Sequence, residues 1–447
     1  MSKIIDAVSI VMTCGDEIFA IQRQNYLAAF PGYWAFPGGK VEKEDSDFCS
    51  DQELCKHIDL RLFGAVVREG KEEFGIDLHE EIKKGNVRSV DYLGLAVTPD
   101  FNPYRFATYF FKIDLKQKLD FVVDQNEAVF AEWMSAEQLL KKYNEGKVLA
   151  VPPVIKVIET LGRQPDVKHI ENLITTYDNT KYVPYIENLK GMRQIMPLSH
   201  TLPPATRTNA FLIGDDVRII VDPSPQDNDE YEKFKNTVAL WGAHKILITH
   251  HHPDHYERAN LYAREMNLPM LISRDTHMRI TRLKPAFFDG VQVEFVKEGD
   301  VVTSWLGNDV LVMEIPGHDE GQIALYSKDL SWYLAGDLFQ GIGTVVIGGE
   351  EGDMRKYFST LERIIKLSPK VLFPSHGIGL GGTAILEKTL AHRKQRESQI
   401  LNLHLEGLTP EQMLEKIYAD VNKNLWPYAL ENIHKHLTKL KQDKMIS

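Results

Sequence analysis

The stretch KILITHHHPDH, residues 245–255, decides how the second half of this chain is read. Its opening is apolar and β-branched, the composition of a buried strand. Beyond that opening, His250, His251, His252, Asp254 and His255 cluster around Pro253. Imidazoles and a carboxylate crowded this closely suit a borderline divalent cation such as Zn2+. On an extended or turning backbone His250 and His252 point to one side, and Asp254 and His255 reach a second position nearby.

Two cations need more donors than this run holds, and the downstream sequence supplies them. His318 ends IPGH, Asp337 ends AGD and His376 lies in PSHG. Each follows apolar strand residues and is flanked by Gly or Pro, which let the backbone turn sharply and project one side chain. Between 191 and 382 such strands (RIIVDPSP, PMLISRD, DVLVMEIPGH, WYLAGDLF, VLFPSHG) alternate with helical segments, an α/β pattern that delivers polar groups at strand ends. His244 and His251 fit no ligand position. A lone histidine at a strand end is usually structural, but that does not explain an ordered series of them.

The segments THHHPDH, IPGHDEGQIALY, AGDLF and FPSHG, with Asp222 in VDPSP, resemble the metallo-β-lactamase superfamily. The resemblance implies an αββα sandwich over 191–382. It also implies one metal held by His250, His252 and His318, a second by Asp254, His255 and His376, and Asp337 bridging them. Two Zn2+ ions so placed make hydroxide available near neutral pH, and Asp254 can pass a proton to the leaving group. Ser375 stands where relatives often have Gly. Phosphodiesters, thioesters and lactams all suit such a centre, so fold alone does not choose the substrate.

Residues 383–447 read as helical, with a capping box and a first-turn proline at Thr409-Pro410-Glu411-Gln412. This tail is similar to the winged-helix-like extension of the β-lactamase-like protein 2 branch, which includes an endoribonuclease acting on single-stranded RNA. Arg393, Lys394 and Arg396, with His392, form a short basic cluster that suits a phosphate backbone and equally suits a solvated helix face. RNA is therefore the leading substrate expectation for this centre, with glyoxalase II-like thioester hydrolysis the alternative.

The first half, 1–160, opens with a strand, a Gly15-Asp16 turn and a second strand. It passes through a helix and returns to strands at DYLGLAVTP and RFATYFFKIDL, an α+β pattern. Trp34–Val41 (WAFPGGKV) is a tight Gly-rich turn. In RLFGAVVREGKEEFGI, Glu69, Glu72 and Glu73 fall at i, i+3 and i+4 on one helical face. Like charges so close repel unless a hard cation, Mg2+ or Mn2+, neutralises them. The turn and the Arg-Glu-x-x-Glu-Glu-x-Gly run resemble the Nudix box, whose fold is an α/β/α sandwich. Asp45 stands where Glu is expected and Gly70 where an apolar residue is expected. The span from Asp45 to Arg68 carries an insertion within 46–67, as in the coenzyme A diphosphatase branch. The resemblance implies that Glu69, Glu72 and Glu73 bind metal and act in diphosphate cleavage. It assigns Arg68 to orienting a glutamate, Gly38 and Gly39 to the nucleotide or small-molecule substrate, and Glu127 to a weaker ligand position. A nucleotide-sensing module that does not cleave is the alternative.

The chain has 447 residues, a formal charge of −11, 43% hydrophobic residues and three cysteines. That length predicts several domains, and the charge argues against general coating of nucleic acid. Cys14, Cys49 and Cys55 lack metal-ligand spacing and suit a reducing compartment without disulfides. Asp6 interrupts the apolar N-terminus and no stretch reaches the ~20 apolar residues that span a bilayer. The expectation is a cytoplasmic protein with no membrane partner, in which a weakly periodic stretch, 161–190, links the halves.

Overall fold

The computed structural model describes residues 4–446 apart from 103, 175 and 176. The chain forms two compact units, Met1–Asp178 with Ile186–Lys190, and Asn179–Tyr185 with Gly191–Ser447.

In the first unit, β1 (Ile5–Cys14), β2 (Glu17–Arg23), β3 (Trp34–Ala35), α1 (Leu60–Phe74), α2 (Leu78–Lys83), β4 (Val87–Val97), β5 (Phe106–Leu115), β6 (Ala128–Ser135), α3 (Ala136–Asn144) and α4 (Pro152–Arg163) follow one another. The sheet runs β3-β2-β1-β5-β4, with β6 beside β2. The expected hairpin pairs Cys14 with Glu17, and Gly15 supplies the positive φ of its turn. Alternation sets the layers. Val8, Ile10 and Met12 of β1 and Phe111 and Ile113 of β5 pack against Phe63, Val66 and Phe74 of α1. Val11 and Phe110 pack the other way, against Leu139 of α3 and Val157 and Leu161 of α4. The result is an α/β/α sandwich.

The stretch 161–190 is not a simple linker. Val167, Ile170 and Leu173 are buried in the α3–α4 core, and Ile170 N donates to Leu93 O at 2.7 Å. Residues 164–174, irregular and laid along a strand edge, show no helix or strand period, which is why this sequence reads as connecting chain.

In the second unit, β8 (Met192–Ile195), β9 (Ala210–Ile213), β10 (Ile219–Val221), β11 (Lys245–Ile248), β12 (Met270–Ile272) and β13 (Val293–Phe295) lie in one sheet, following β7 (Tyr185–Leu189) in the chain. From β10 to β13 the pairing is parallel. A second sheet runs in chain order through β14 (Val301–Trp305), β15 (Asn308–Glu314), β16 (Ile323–Ser327), β17 (Tyr333–Leu334), β18 (Val371–Phe373) and β19 (Leu380–Gly381). The sheets face each other through pairs such as Phe211 on β9 and Phe373 on β18, 5.5 Å apart edge to face. Outside the first sheet lie α5 (Asn228–Ala239), the single turn α6 (Pro253–Tyr256), α7 (Ala259–Met266) and α8 (Arg274–Leu283), which bury Phe234, Tyr262 and Ile280 against Leu212, Ile220 and Ile246. Outside the second, α9 (Met354–Leu367) and α10 (Ala384–Leu405) bury Tyr357, Leu361 and Leu386 against Met313, Ala324 and Leu372. This is the αββα sandwich expected. α10 continues into a small core with α11 (Pro410–Ile417) and α12 (Trp426–Gln442). Thr409 and Gln412 form the capping box read from the sequence. Among the described residues no helix is long and apolar enough to cross a membrane.

Candidate metal centres

The residues singled out between 250 and 376 converge. His250, His252, His318 and Asp337 form one group, and Asp254, His255 and His376 a second, with the candidate donor atoms of each within 4.8 Å of one another. Strand ends deliver them: β11 stops at Ile248, and Pro253 opens α6 with His252 as its N-cap, so Asp254 and His255 fall in one helical turn.

Each imidazole is held by its far side. Asp222 sits at φ 50° just after β10, where an Asp is tolerated, and its carboxylate accepts from Thr249 N at 2.8 Å and Thr249 Oγ1 at 2.6 Å. With its proton committed to Asp222, the Thr249 hydroxyl accepts from His250 Nδ1 at 3.0 Å. Asp222 also accepts from His255 Nδ1 at 2.8 Å. His318 Nδ1 donates to Val346 O at 2.8 Å and His376 Nδ1 to Arg207 O at 2.9 Å. These acceptors turn four Nε2 atoms inward, and on His250 and His318 they are bare lone pairs. On His255 and His376 burial is outweighed by Asp254 and Asp337, which raise both rings above the usual range, so that a cation would take the place of a proton there. His252 is reversed: Nδ1 faces inward and Nε2 lies 3.6 Å from Glu351.

His252 Nδ1 lies 3.0 Å from His250 Nε2 and 2.9 Å from His318 Nε2. Converging lone pairs repel unless something positive sits among them, and a cation at ~2.0–2.1 Å from each nitrogen fits such spacings. In the second group His376 Nε2 and His255 Nε2 lie 3.6 and 3.7 Å from Asp254 Oδ2 and 3.4 and 3.5 Å from Asp337 Oδ1. Asp337 Oδ2 faces His318 Nε2 at 3.7 Å, so this carboxylate looks into both groups. His255 Nε2 and Asp337 Oδ1 are buried with no hydrogen-bond partner among the described residues. Such orphaned polar atoms are costly unless an ion occupies the space between them.

The electrostatics agree. Burial, helped by the neighbouring imidazoles, pushes His250 well below the usual histidine range and His318 down to about 4. Burial alone would neutralise Asp337, but His376 and His255 outweigh it and hold the carboxylate well below its ordinary range. His250 and His318 thus present neutral nitrogens and Asp337 stays charged, forms that a divalent cation demands. Burial of His252 is outweighed by Glu351 and the nearby aspartates, which raise it above the usual histidine range.

Sequence reasoning missed the braces. Thr208 Oγ1 donates to Asp254 Oδ2 at 3.2 Å, and Asn209 Nδ2 donates to Pro374 O and Gly377 O at 2.8 Å each. Asn209 N donates to Ser375 O at 2.7 Å. These partners lie far apart in the chain, and a Thr-Asn pair before a strand carries no signal of its own. His251 pairs with Asp319, and His244 Nδ1 accepts from Arg218 N at 3.0 Å; neither belongs to the two groups.

One expectation is corrected. Arg393 is 3% exposed, so it does not face a nucleic-acid backbone. Its guanidinium donates to Asn432 Oδ1 and Val345 O within the fold. Lys394 pairs with Glu362, and the Arg396 guanidinium lies 4.6 Å from the Tyr418 ring centroid. The Lys394–Glu362 pair is exposed, so of this cluster only Arg393 is withdrawn from the surface.

In the first unit, Gly38 has φ 143°, and a Cβ there would lie 2.1 Å from Val8 O; one on Gly39 would lie 2.2 Å from Glu69 Oε1. Gly38 N donates to Glu73 Oε2 at 3.1 Å. Both glycines therefore pack against β1 and the carboxylates. Arg68 grips Asp45 bidentately at 2.9 and 3.1 Å and donates to Glu69 at 2.8 Å and Glu72 at 3.0 Å. Asp45, unexpected by pattern, is the buried anchor of this network. The departure at Gly70 has a steric reason, because a Cβ there would crowd Ile76 O and Leu78 at 3.2 Å. The insertion supplies the start of α1, capped by Asp59. Glu69 and Glu73 are buried while Glu72 is exposed. Burial and the Glu69 charge push Glu73 up to about 8, and burial raises Glu69. Glu127 lies 4.0 Å from Arg23 and adds to the negative field on Glu73.

The metallo-beta-lactamase superfamily model matches residues 203–376. Residues 203–376 of the second unit are a metallo-β-lactamase domain. The NUDIX domain model matches residues 3–152, and that of the beta-lactamase associated winged helix domain residues 409–446. The chain therefore joins two hydrolase families, Nudix first. A beta-lactamase-like protein 2 homolog of Drosophila melanogaster is 26% identical over 247 residues, 53% of this chain and 82% of its own length. A hydroxyacylglutathione hydrolase of Bdellovibrio bacteriovorus is 33% identical over 129 residues, 28% of this chain and 46% of that protein. A beta-lactamase domain protein from Burkholderia ambifaria shares the metallo-β-lactamase domain's fold at TM-score 0.52 and 19% identity, over 60% of this chain and 90% of its own.

Proposed function

We propose that the metallo-β-lactamase domain is a dinuclear zinc hydrolase of thioesters or similarly activated carbonyls, and that the Nudix domain is a Mg2+- or Mn2+-dependent hydrolase of nucleoside diphosphate derivatives. The observation that carries the first reading is the convergence of five inward-facing imidazole nitrogens on Asp254 and Asp337, with two of the buried atoms orphaned. Cations bound there would ionise water and polarise the scissile oxygen. The chain's own residues keep His250 and His318 neutral, aim the donors through Asp222, Thr249, Val346 O and Arg207 O, and supply Asp254 to hand a proton to the leaving group.

A carbonyl substrate is favoured over RNA because Arg393, at the centre of the basic cluster that would hold a phosphate backbone, is buried and bonded within the fold. The relative named as a hydroxyacylglutathione hydrolase points the same way. For the Nudix domain the support is the pair of buried carboxylates, Glu69 and Glu73, whose proximity calls for a hard cation.

The test is a metal count on full-length protein purified without chelator, then turnover of acyl-glutathione, acyl-coenzyme A, single-stranded RNA and nucleoside diphosphate derivatives. Two zinc ions per chain with thioester turnover are expected. Cleavage of RNA with inert thioesters would overturn the substrate assignment. Diphosphate turnover by wild type but not by Glu72→Gln is expected. Equal, negligible turnover by both would instead make the Nudix domain a sensor.

A further inference from the structure

The orientation of one proposed metal ligand depends on the C-terminal helices. His318 Nδ1 donates to the carbonyl of Val346, in the chain between β17 and α9. That carbonyl belongs to a loop with no regular structure of its own, so something else must hold it. The residues on either side are both clamped from the tail. Val345 O accepts from Arg393 on α10. Ile347 N donates to Asn432 Oδ1 on α12 at 3.0 Å. The two clamps are joined, because Arg393 Nη1 donates to the same Asn432 oxygen at 3.0 Å, and Asn432 Nδ2 donates to Tyr428 O at 3.0 Å. Arg393 and Asn432 are 3% and 6% exposed. A buried guanidinium and a buried amide, meeting one another and the two backbone neighbours of a single carbonyl, form a rigid bracket around it.

A second contact leads to the same place. The Arg393 guanidinium lies 5.8 Å from the Tyr357 ring centroid. Tyr357 donates its hydroxyl to Leu338 O at 2.7 Å, one residue after Asp337. Its backbone fills the space beside Gly317, where a Cβ would meet Tyr357 Cα at 2.4 Å. The residue before His318 and the residue after Asp337 are thus both seated on Tyr357, which Arg393 covers.

We infer that Arg393 and Asn432 are positioning residues for the first metal group: by fixing Val346 O they hold His318 in the Nε2-bare tautomer and at the angle that the cation needs. This role rests on the reading of His318 as a metal ligand. It gives the C-terminal helices a part in building the centre, and it accounts for a basic residue being buried on a helix whose neighbouring charges face outward. Losing an outer partner of a ligating histidine generally weakens metal binding by about 10- to 100-fold.

The experiment uses full-length protein and measures the affinities of both Zn2+ ions by chelator competition, together with the visible spectrum of the cobalt-substituted form. Arg393→Lys keeps the charge but cannot reach both acceptors, and Asn432→Leu removes the shared oxygen. Each is expected to weaken one cation about 10-fold or more, to leave the other near wild type and to change the cobalt spectrum. Asn432→Asp keeps the acceptor and is expected to restore binding. A merely structural role would lower the melting temperature of the metal-free protein without separating the two affinities. If Asn432→Leu does not fold, Arg393→Lys decides the question alone. Folded variants that bind both ions with wild-type affinity and spectrum would overturn the inference. Failure of the wild type to bind two ions would instead overturn the dinuclear reading beneath it.

Discussion

The two candidate centres are assembled in opposite ways. Most of the Nudix carboxylates come from successive turns of one helix, α1, with Asp45 and the Gly38-Gly39 turn bracing them from earlier in the chain. The donors of the metallo-β-lactamase centre come from loops after β11, β15, β17 and β18, and several are fixed by a partner from another segment, such as Arg207 O for His376 and Asp222 for His255. A helix places its donors by its own periodicity, so only their burial depends on the rest of the unit. A centre built from strand ends exists only when both sheets are packed. The first should therefore tolerate loss of one donor gradually, and the second should fail abruptly.

The largest expected effect tests that abruptness. Asp337→Ala removes the carboxylate that faces both groups and should lower hydrolysis by the metallo-β-lactamase domain at least about a thousandfold. Metal content should fall in parallel and diphosphate turnover should be unchanged. Loss of both activities would show that the centres are not independent. Next, Asp222→Asn should weaken zinc affinity by about 10- to 100-fold, because Thr249 and His255 lose a shared charged acceptor. Competition with a chromogenic chelator measures this, and wild-type affinity would mean that strand packing alone orients the imidazoles.

The Nudix centre gives a pH signature. Glu73 is raised from 4.5 to about 8 in the folded unit, so its neutral form is the one that folding favours. In metal-free protein that contribution is complete below about pH 4.5 and is lost as pH rises toward about 8, at up to about 1.4 kcal/mol per pH unit while the group titrates. Denaturant unfolding of the first unit across this range should show the decline, and Glu73→Gln should flatten it. Saturating Mg2+ should reverse the trend by binding the ionised form. The smallest effect is expected at Arg68. Asp45→Asn keeps the shape but removes the charge of a bidentate pair, and should cost the first unit about 1–3 kcal/mol. No change in unfolding midpoint would mean that Glu69 and Glu72 suffice to hold the guanidinium.

Much of both centres is legible because the chemistry is written in residue type. Histidines beside Gly or Pro after apolar runs, and glutamates at helical spacing, are informative before any coordinates exist. The exceptions are instructive. Arg393 reads as solvent-facing because Lys394, Arg396 and His392 surround it in sequence, whereas helical geometry turns that one side chain inward. The stretch 161–190 reads as linker because its buried residues follow no period. Asp45 looks like a departure from pattern, yet its carboxylate is the one that Arg68 grips with two nitrogens.

By itself the sequence determined which donors exist, the order in which strands and helices present them and the kinds of cation they suit, since these follow from side-chain chemistry and from periods of two and 3.6 residues. Only the tertiary structure decided which nitrogen of each imidazole faces inward, which carboxylate faces both groups and which basic side chain is buried. Those outcomes depend on partners such as Asp222, Val346 O and Asn432, brought close by packing between segments that no local pattern connects.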